Sequence, residues 1–160
     1  MLSWSVLLVG LWIVIALLLS KHQRLWWAIN LILLIVICAF IIDRTLIGRG
    51  SKRKLQLIPF YFFIAAKSSS ERIRSAVANL LLFIPLGLSM PFVLSSKGKK
   101  TRHPIRLTII IALLFSFSIE VLQYAFALGL CETDDVILNT LGAAEGACAF
   151  AVVQRIEKYK

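Results

Sequence analysis

Ser118-Ile119-Glu120-Val121-Leu122-Gln123 places a carboxyl side chain inside the apolar run Ile105–Leu128, and Glu132-Thr133-Asp134-Asp135 follows just past its end. A run of this length reads as a membrane-crossing helix, because a bilayer core takes about 20 apolar residues. An ionisable group at mid-bilayer depth is unfavourable by about 2.5–3.5 kcal/mol, so Glu120 is expected to face the interior of a helix bundle and to find a partner there. The stretch therefore predicts a membrane protein with one polar, acidic site.

Composition points the same way. Apolar residues make up 59% of the 160, and the mean hydropathy is +0.87. Soluble domains lie nearer 45–50% apolar. Four further runs approach spanning length: Leu2–Leu19, Leu25–Ile42, Val77–Leu94 and Val136–Val153. None shows the alternation of barrel strands, so all are expected to be helices. The expected fold is all-α, a polytopic membrane bundle of about five helices forming a single domain over residues 1–160. No Lys or Arg precedes Ser20, so Leu2–Leu19 reads as a retained span rather than a secretory signal. Trp4, Trp26, Trp27 and Tyr159 lie near span ends and suit interfacial aromatics, whereas Trp12 is too deep for that belt. Cys38 and Cys148 fall inside spans and read as small buried apolar residues; only Cys131 looks exposed.

The net charge of +10 does not indicate nucleic acid, because the basic residues sit in the links between apolar runs, where they face lipid and set topology. Lys21–Arg24, Ser95–Arg106 and the tail from Gln154 hold two, five and three Lys or Arg. The opposite side holds eight in the long link Asp43–Ala76 and none in Gly129–Asp135. Short links weigh most. Lys21–Arg24, Ser95–Pro104 and the C-terminus are therefore expected in the cytoplasm, with Glu132–Asp135 outside. Within the long link, Leu55–Ala66 is apolar and aromatic around Pro59 and Phe60, too short to span, and suits a re-entrant or interfacial segment. Ser68–Ser70 before Glu71 suits a helix N-cap.

Helical spacing groups the polar residues. Ser116, Glu120 and Gln123 share one face of their helix, and Asp135, Asn139, Gly142 and Gly146 share one face of theirs. Gly142 and Gly146 form a small-xxx-small pair that admits another helix closely. Pro85 and Gly87 follow Asn79 in the third span, where Pro85 removes a backbone donor and favours a kink. Glu120 is placed about 12 Å below Leu128 at 1.5 Å per residue. Asn79, Gln123, Glu132, Asp135 and Asn139 are expected at the same outer level. Plainer roles exist for most of these: Asp134 or Asp135 as a helix cap, and Asn79, Gln123 and Asn139 as interhelical hydrogen-bonding residues. Glu145 lies deeper and off that face.

The chemistry has limits. His22 and His103 fall in the basic links, away from the outer level, which excludes a Ser-His-Asp arrangement there. Without a His or Cys cluster, a zinc centre is not expected. An all-oxygen set leaves a divalent cation open, as it leaves acid–base work by Glu120 and Asp135 open.

Four ordered elements resemble the VanZ-like family of bacterial membrane proteins. They are Leu57-Ile-Pro59-Phe60, Asn79-Leu-Leu-Leu-Phe83-Ile-Pro85-Leu-Gly87, Glu120-Val-Leu-Gln123, and Glu132-Thr-Asp-Asp135 continuing to Asn139 and Gly142. The likeness spans roughly Leu57 to Gly146, with Leu2–Leu19 additional to that core. Glu132 stands where the family pattern has Asp, which keeps the charge and lengthens the reach. The resemblance implies a plasma-membrane protein of the bacterial envelope, in a family associated with resistance to the lipoglycopeptide teicoplanin. In that context, the polar groups at the outer level under Phe60–Phe63 make the leading reading an outer-leaflet pocket of Asn79, Glu120, Gln123, Glu132, Asp135 and Asn139 that takes an envelope lipid or lipid anchor. Two alternatives stand beside it. One is a membrane hydrolase or transferase acting on a lipid-linked headgroup; the other is a small transporter or helper subunit. The sequence does not indicate an oligomeric state.

Overall fold

The computed structural model describes residues 2–19, 22–47, 52–61, 70–95 and 101–158. Five helices make up most of it: α1 (Leu2–Leu19), α2 (Gln23–Leu46), α3 (Ser70–Leu94), α4 (Pro104–Ala125) and α5 (Thr133–Lys158). Two short strands, β1 (Lys52–Gln56) and β2 (Leu128–Glu132), complete it. Four helices contain segments long and apolar enough to cross a membrane, namely Arg24–Leu46, Glu71–Leu94, Pro104–Ala125 and Thr133–Ile156. In α1 the described apolar stretch is shorter, Val9–Leu18.

The helices end where the local chemistry changes. Pro104 occupies the first turn of α4, where its missing N–H is no loss. α4 stops at Ala125, three residues short of the expected Leu128, and Ala127 turns the chain with φ 56°. β2 then pairs in parallel with β1, Leu128 opposite Lys52 and Glu132 opposite Gln56. Within the apolar link segment, expected as re-entrant or interfacial, Leu55 and Gln56 belong to a strand, and residues 62–66 lie outside the described residues. Pro59 and Phe60 form an exposed turn after the strand. Ser68 and Ser69 lie outside the described residues.

α5 is the central helix. It packs on α1, α3 and α4, and its small residues let them approach. α3 and α5 run in the same direction, with Gly142 against the Leu80 carbonyl and Gly146 against that of Ile84. A Cβ added at Gly142 would lie 2.0 Å from the Leu80 oxygen, and one at Gly87 would lie 2.0 Å from the Ala143 oxygen. Backbone-to-backbone contact of this kind is how helices associate in lipid, where burial of apolar surface supplies no drive. α3 continues as one helix through Pro85 and Pro91.

The two ends of the bundle differ. At one end Trp12, Trp26 and Phe150 each meet Phe92 edge to face and Trp12 is tilted against Trp26, with ring centroids 4.7–5.6 Å apart. Trp12 is deep because it is a core residue. Trp26 is buried in the same cluster, which corrects its reading as an interfacial aromatic. Trp27 is half-buried and donates its indole N–H to the Val93 carbonyl at 3.3 Å. The side chains of Trp4 and Tyr159 lie outside the described residues. Cys148 is exposed and Cys38 half-buried, so neither is the enclosed residue expected of it. The other end carries the two-stranded sheet and the polar residues.

Candidate functional site

One face of α4 is buried along its length: Thr108, Ala112, Ser116, Ile119, Glu120 and Gln123. Glu120 is 3% exposed. Five residues separate it from the end of α4, roughly 7 Å at 1.5 Å per residue, so it lies nearer the helix end than a span running to Leu128 implies. Its Oε2 accepts the backbone N–H of Glu132 at 2.9 Å. A hydrogen bond to a carboxylate is worth about 1.5–3 kcal/mol, and leaving either group buried and unpaired is unfavourable by more than an ordinary bond's worth. The bond fastens β2 across the end of α4 where α5 begins.

Cys131 shares that position, half-buried rather than exposed. Burial pushes its thiol pKa up; the Glu120 charge and hydrogen bond, then the charges of Asp135 and Glu132, push it further. All three acids act on this thiol, and Glu120 touches it through a hydrogen bond. The Glu132 side chain turns the other way and takes Arg72 at 2.8 Å, whose guanidinium also lies 5.3 Å from the centre of the Tyr61 ring. One residue earlier, the Phe60 N–H donates to Asp134 Oδ1. Phe60 has φ 59°, a conformation uncommon for a bulky residue, so this turn is shaped by its contact with Asp134. The acids past α4 thus fasten the chain before α3 to the start of α5. Asp134, weighed from sequence as a helix cap, serves as the acceptor for that turn.

The remaining polar residues point to separate helices. Gln123 donates to the Thr45 carbonyl on α2 at 2.9 Å. Asn139 donates to the Ser116 hydroxyl on α4 at 2.8 Å. Asn79 is on α3, one residue before Leu80, whose carbonyl lies against Gly142 of α5. Glu145 is on the exposed side of α5. His22 and His103 precede α2 and α4, at the end of the bundle opposite Glu120.

Sequence spacing thus anticipates which face of α4 is buried, and the structure ties Glu120 to the Glu132 backbone. Gln123 and Asn139 flank them through bonds to α2 and α4. Cys131, Arg72 and Asp134 were not among the proposed ligand-binding residues. The one signal for Cys131 is its place next to Glu132; for Arg72 it is a basic residue at the start of α3, among acids it had no visible reason to meet.

Buried polar atoms with no hydrogen-bond partner among the described residues occur through the whole bundle: Gln56 Nε2, Asn79 Nδ2, Gln123 Oε1 and Asn139 Oδ1 in this half, and Trp12 Nε1, Trp26 Nε1, Asn30 Oδ1, Ser95 Oγ and Thr108 Oγ1 toward the other end. Buried polar atoms are paired in the large majority of cases, so those in this half leave room for water or a ligand. Among the described residues no three of His, Cys, Asp and Glu are grouped as a metal ion would require.

The sequence profile of the VanZ/LLP1 family matches residues 5–154. The chain belongs to this family. That match includes most of α1 as well as all four motif elements. A VanZ-like relative, Protein VanZ of Enterococcus faecium, is 28% identical over 95 residues, which cover 59% of this chain and 51% of the relative. The chain thus spans about half the length of the curated relative it matches. No solved structure matches the chain significantly.

Proposed function

We propose that this VanZ-like membrane protein binds an envelope lipid or lipid anchor at its Glu120 end and contributes to protection against teicoplanin. The observation that carries the reading is the buried Glu120 carboxyl group, held on the Glu132 backbone, with unmatched amide atoms on Gln123 and Asn139 nearby. Family membership supplies the context of resistance.

The proposed location is the bacterial plasma membrane, with the sheet end outward and the C-terminus in the cytoplasm. Short basic links at the aromatic end support that orientation. The testing experiment is teicoplanin susceptibility of cells carrying Glu120→Gln or Asp135→Asn at normal protein level. Loss of protection is expected in both; full protection in both overturns the reading.

A further inference from the structure

Three acids at the sheet end are engaged within the protein, whereas Asp43 and Glu71 are exposed there. Glu132 is paired with Arg72, Asp134 holds the Phe60 backbone, and Glu120 holds the Glu132 backbone. Arg53, Lys54 and Arg74 are exposed, and none forms an ion pair with a described residue. Arg53 donates one bond to the Ala125 carbonyl at 3.0 Å and lies 5.4 Å from the centre of the Tyr124 ring, which leaves most of its guanidinium donors open. The segment from Arg53 to Phe60 holds no acid, so its own exposed charge is cationic, although the residues that mark the site in sequence are acidic.

The same segment is apolar beside its charges. Leu55, Leu57, Ile58 and Phe60 are 50–63% exposed; Tyr124, beside Arg53, and Phe126, at the end of α4, are 41% and 68% exposed. Among the described residues β1 pairs with β2 alone. Cations and apolar side chains at the level where a span ends match one kind of occupant: a lipid whose headgroup carries a phosphate.

We propose that β1 and the turn after it, Arg53 to Phe60, seat an anionic phospholipid, with Arg53 and Lys54 on the phosphate and Leu57, Ile58 and Phe60 along its acyl chains. This deepens the proposed function, on which it rests, by naming the class of lipid. Phosphate is the shared chemistry of several membrane lipids, and the apolar flank selects a lipid over a free phosphate.

The test uses the full chain in neutral detergent, titrated with dioctanoyl phosphatidylglycerol or dioctanoyl phosphatidylcholine and read by native mass spectrometry. Phosphatidylglycerol is expected to bind at least tenfold more tightly, and soluble glycerol 3-phosphate not to displace it. Lys54→Gln, whose side chain has no described contact to lose, weakens that preference about fivefold, and Arg53→Gln/Lys54→Gln weakens it further. Arg102→Gln removes an equal charge from the opposite end and leaves it intact. Equal binding of the two lipids, displacement by glycerol 3-phosphate, or equal effects of Lys54→Gln and Arg102→Gln would overturn the proposal. Loss of teicoplanin protection in Glu120→Gln is read separately, so failure here leaves the proposed function standing.

Discussion

The Glu132 backbone N–H and the Glu120 carboxyl group lie 2.9 Å apart, joined through the interior of the bundle, while the Glu132 side chain faces outward to Arg72. One residue thus connects a buried acid to a surface cation. The acid in the middle of an apolar run is explained structurally: it secures the turn that starts α5. The same bond sets Cys131 against Glu120, which makes the arrangement measurable.

Glu120→Gln removes the nearby charge that helps hold the Cys131 thiol above its ordinary pKa. The thiol pKa falls toward its usual value, so at pH 8 more thiolate is present and reaction with iodoacetamide quickens. A two- to fivefold rise in the Cys131 rate is expected, against Cys38 as the internal reference. An unchanged rate argues that the two side chains are not neighbours in solution.

Gly142→Ala places a methyl group 2.0 Å from the Leu80 carbonyl oxygen, contact that only a shift of α3 relieves. Overpacking of this kind costs about 1–3 kcal/mol. Thermal unfolding in detergent, followed by circular dichroism, should show a loss of several degrees. Gly10→Ala, with open space around it, should show none.

Asn139 and Ser116 join α5 to α4 at 2.8 Å. A double-mutant cycle with Asn139→Ala and Ser116→Ala should give a coupling of about 0.6–1.7 kcal/mol, the range for interhelical bonds in membranes. Additive single effects would show that the bond contributes nothing.

Orientation is tested at two described positions on opposite ends. Lys54→Cys, in a Cys131→Ala background, should react with an impermeant maleimide on intact cells. Arg102→Cys should react only after the membrane is opened. The reverse pattern places the sheet end in the cytoplasm.

The helices were legible because each rests on a long apolar run, and the close approach of α5 to α3 was legible because Gly142 and Gly146 recur at one helical turn. The strands were not. Lys52-Arg53-Lys54-Leu55-Gln56 has no β-branched residue and no alternation, and it is a strand because its backbone meets Leu128–Glu132 across two intervening helices. No local rule carries that distance. Ala127 likewise ends α4 early with a positive φ that its residue type does not announce. The polar faces around Glu120 followed from periodicity. The pairing of Arg72 with Glu132 did not, because it depends on how α3 and β2 meet. Trp12 is the opposite case: its depth was anomalous in sequence and is explained once Trp26 and Phe92 surround it.

The central claim is that the Glu120 end holds an envelope lipid, and lipid retention measures it directly. The full chain, purified in mild detergent from its native membrane, is compared with Glu120→Gln and Asp135→Asn by native mass spectrometry, with helicity checked by circular dichroism. The wild-type chain should carry a lipid of defined mass that both variants lose while remaining folded. Equal retention by all three, or no specific lipid on the wild type, would contradict the account.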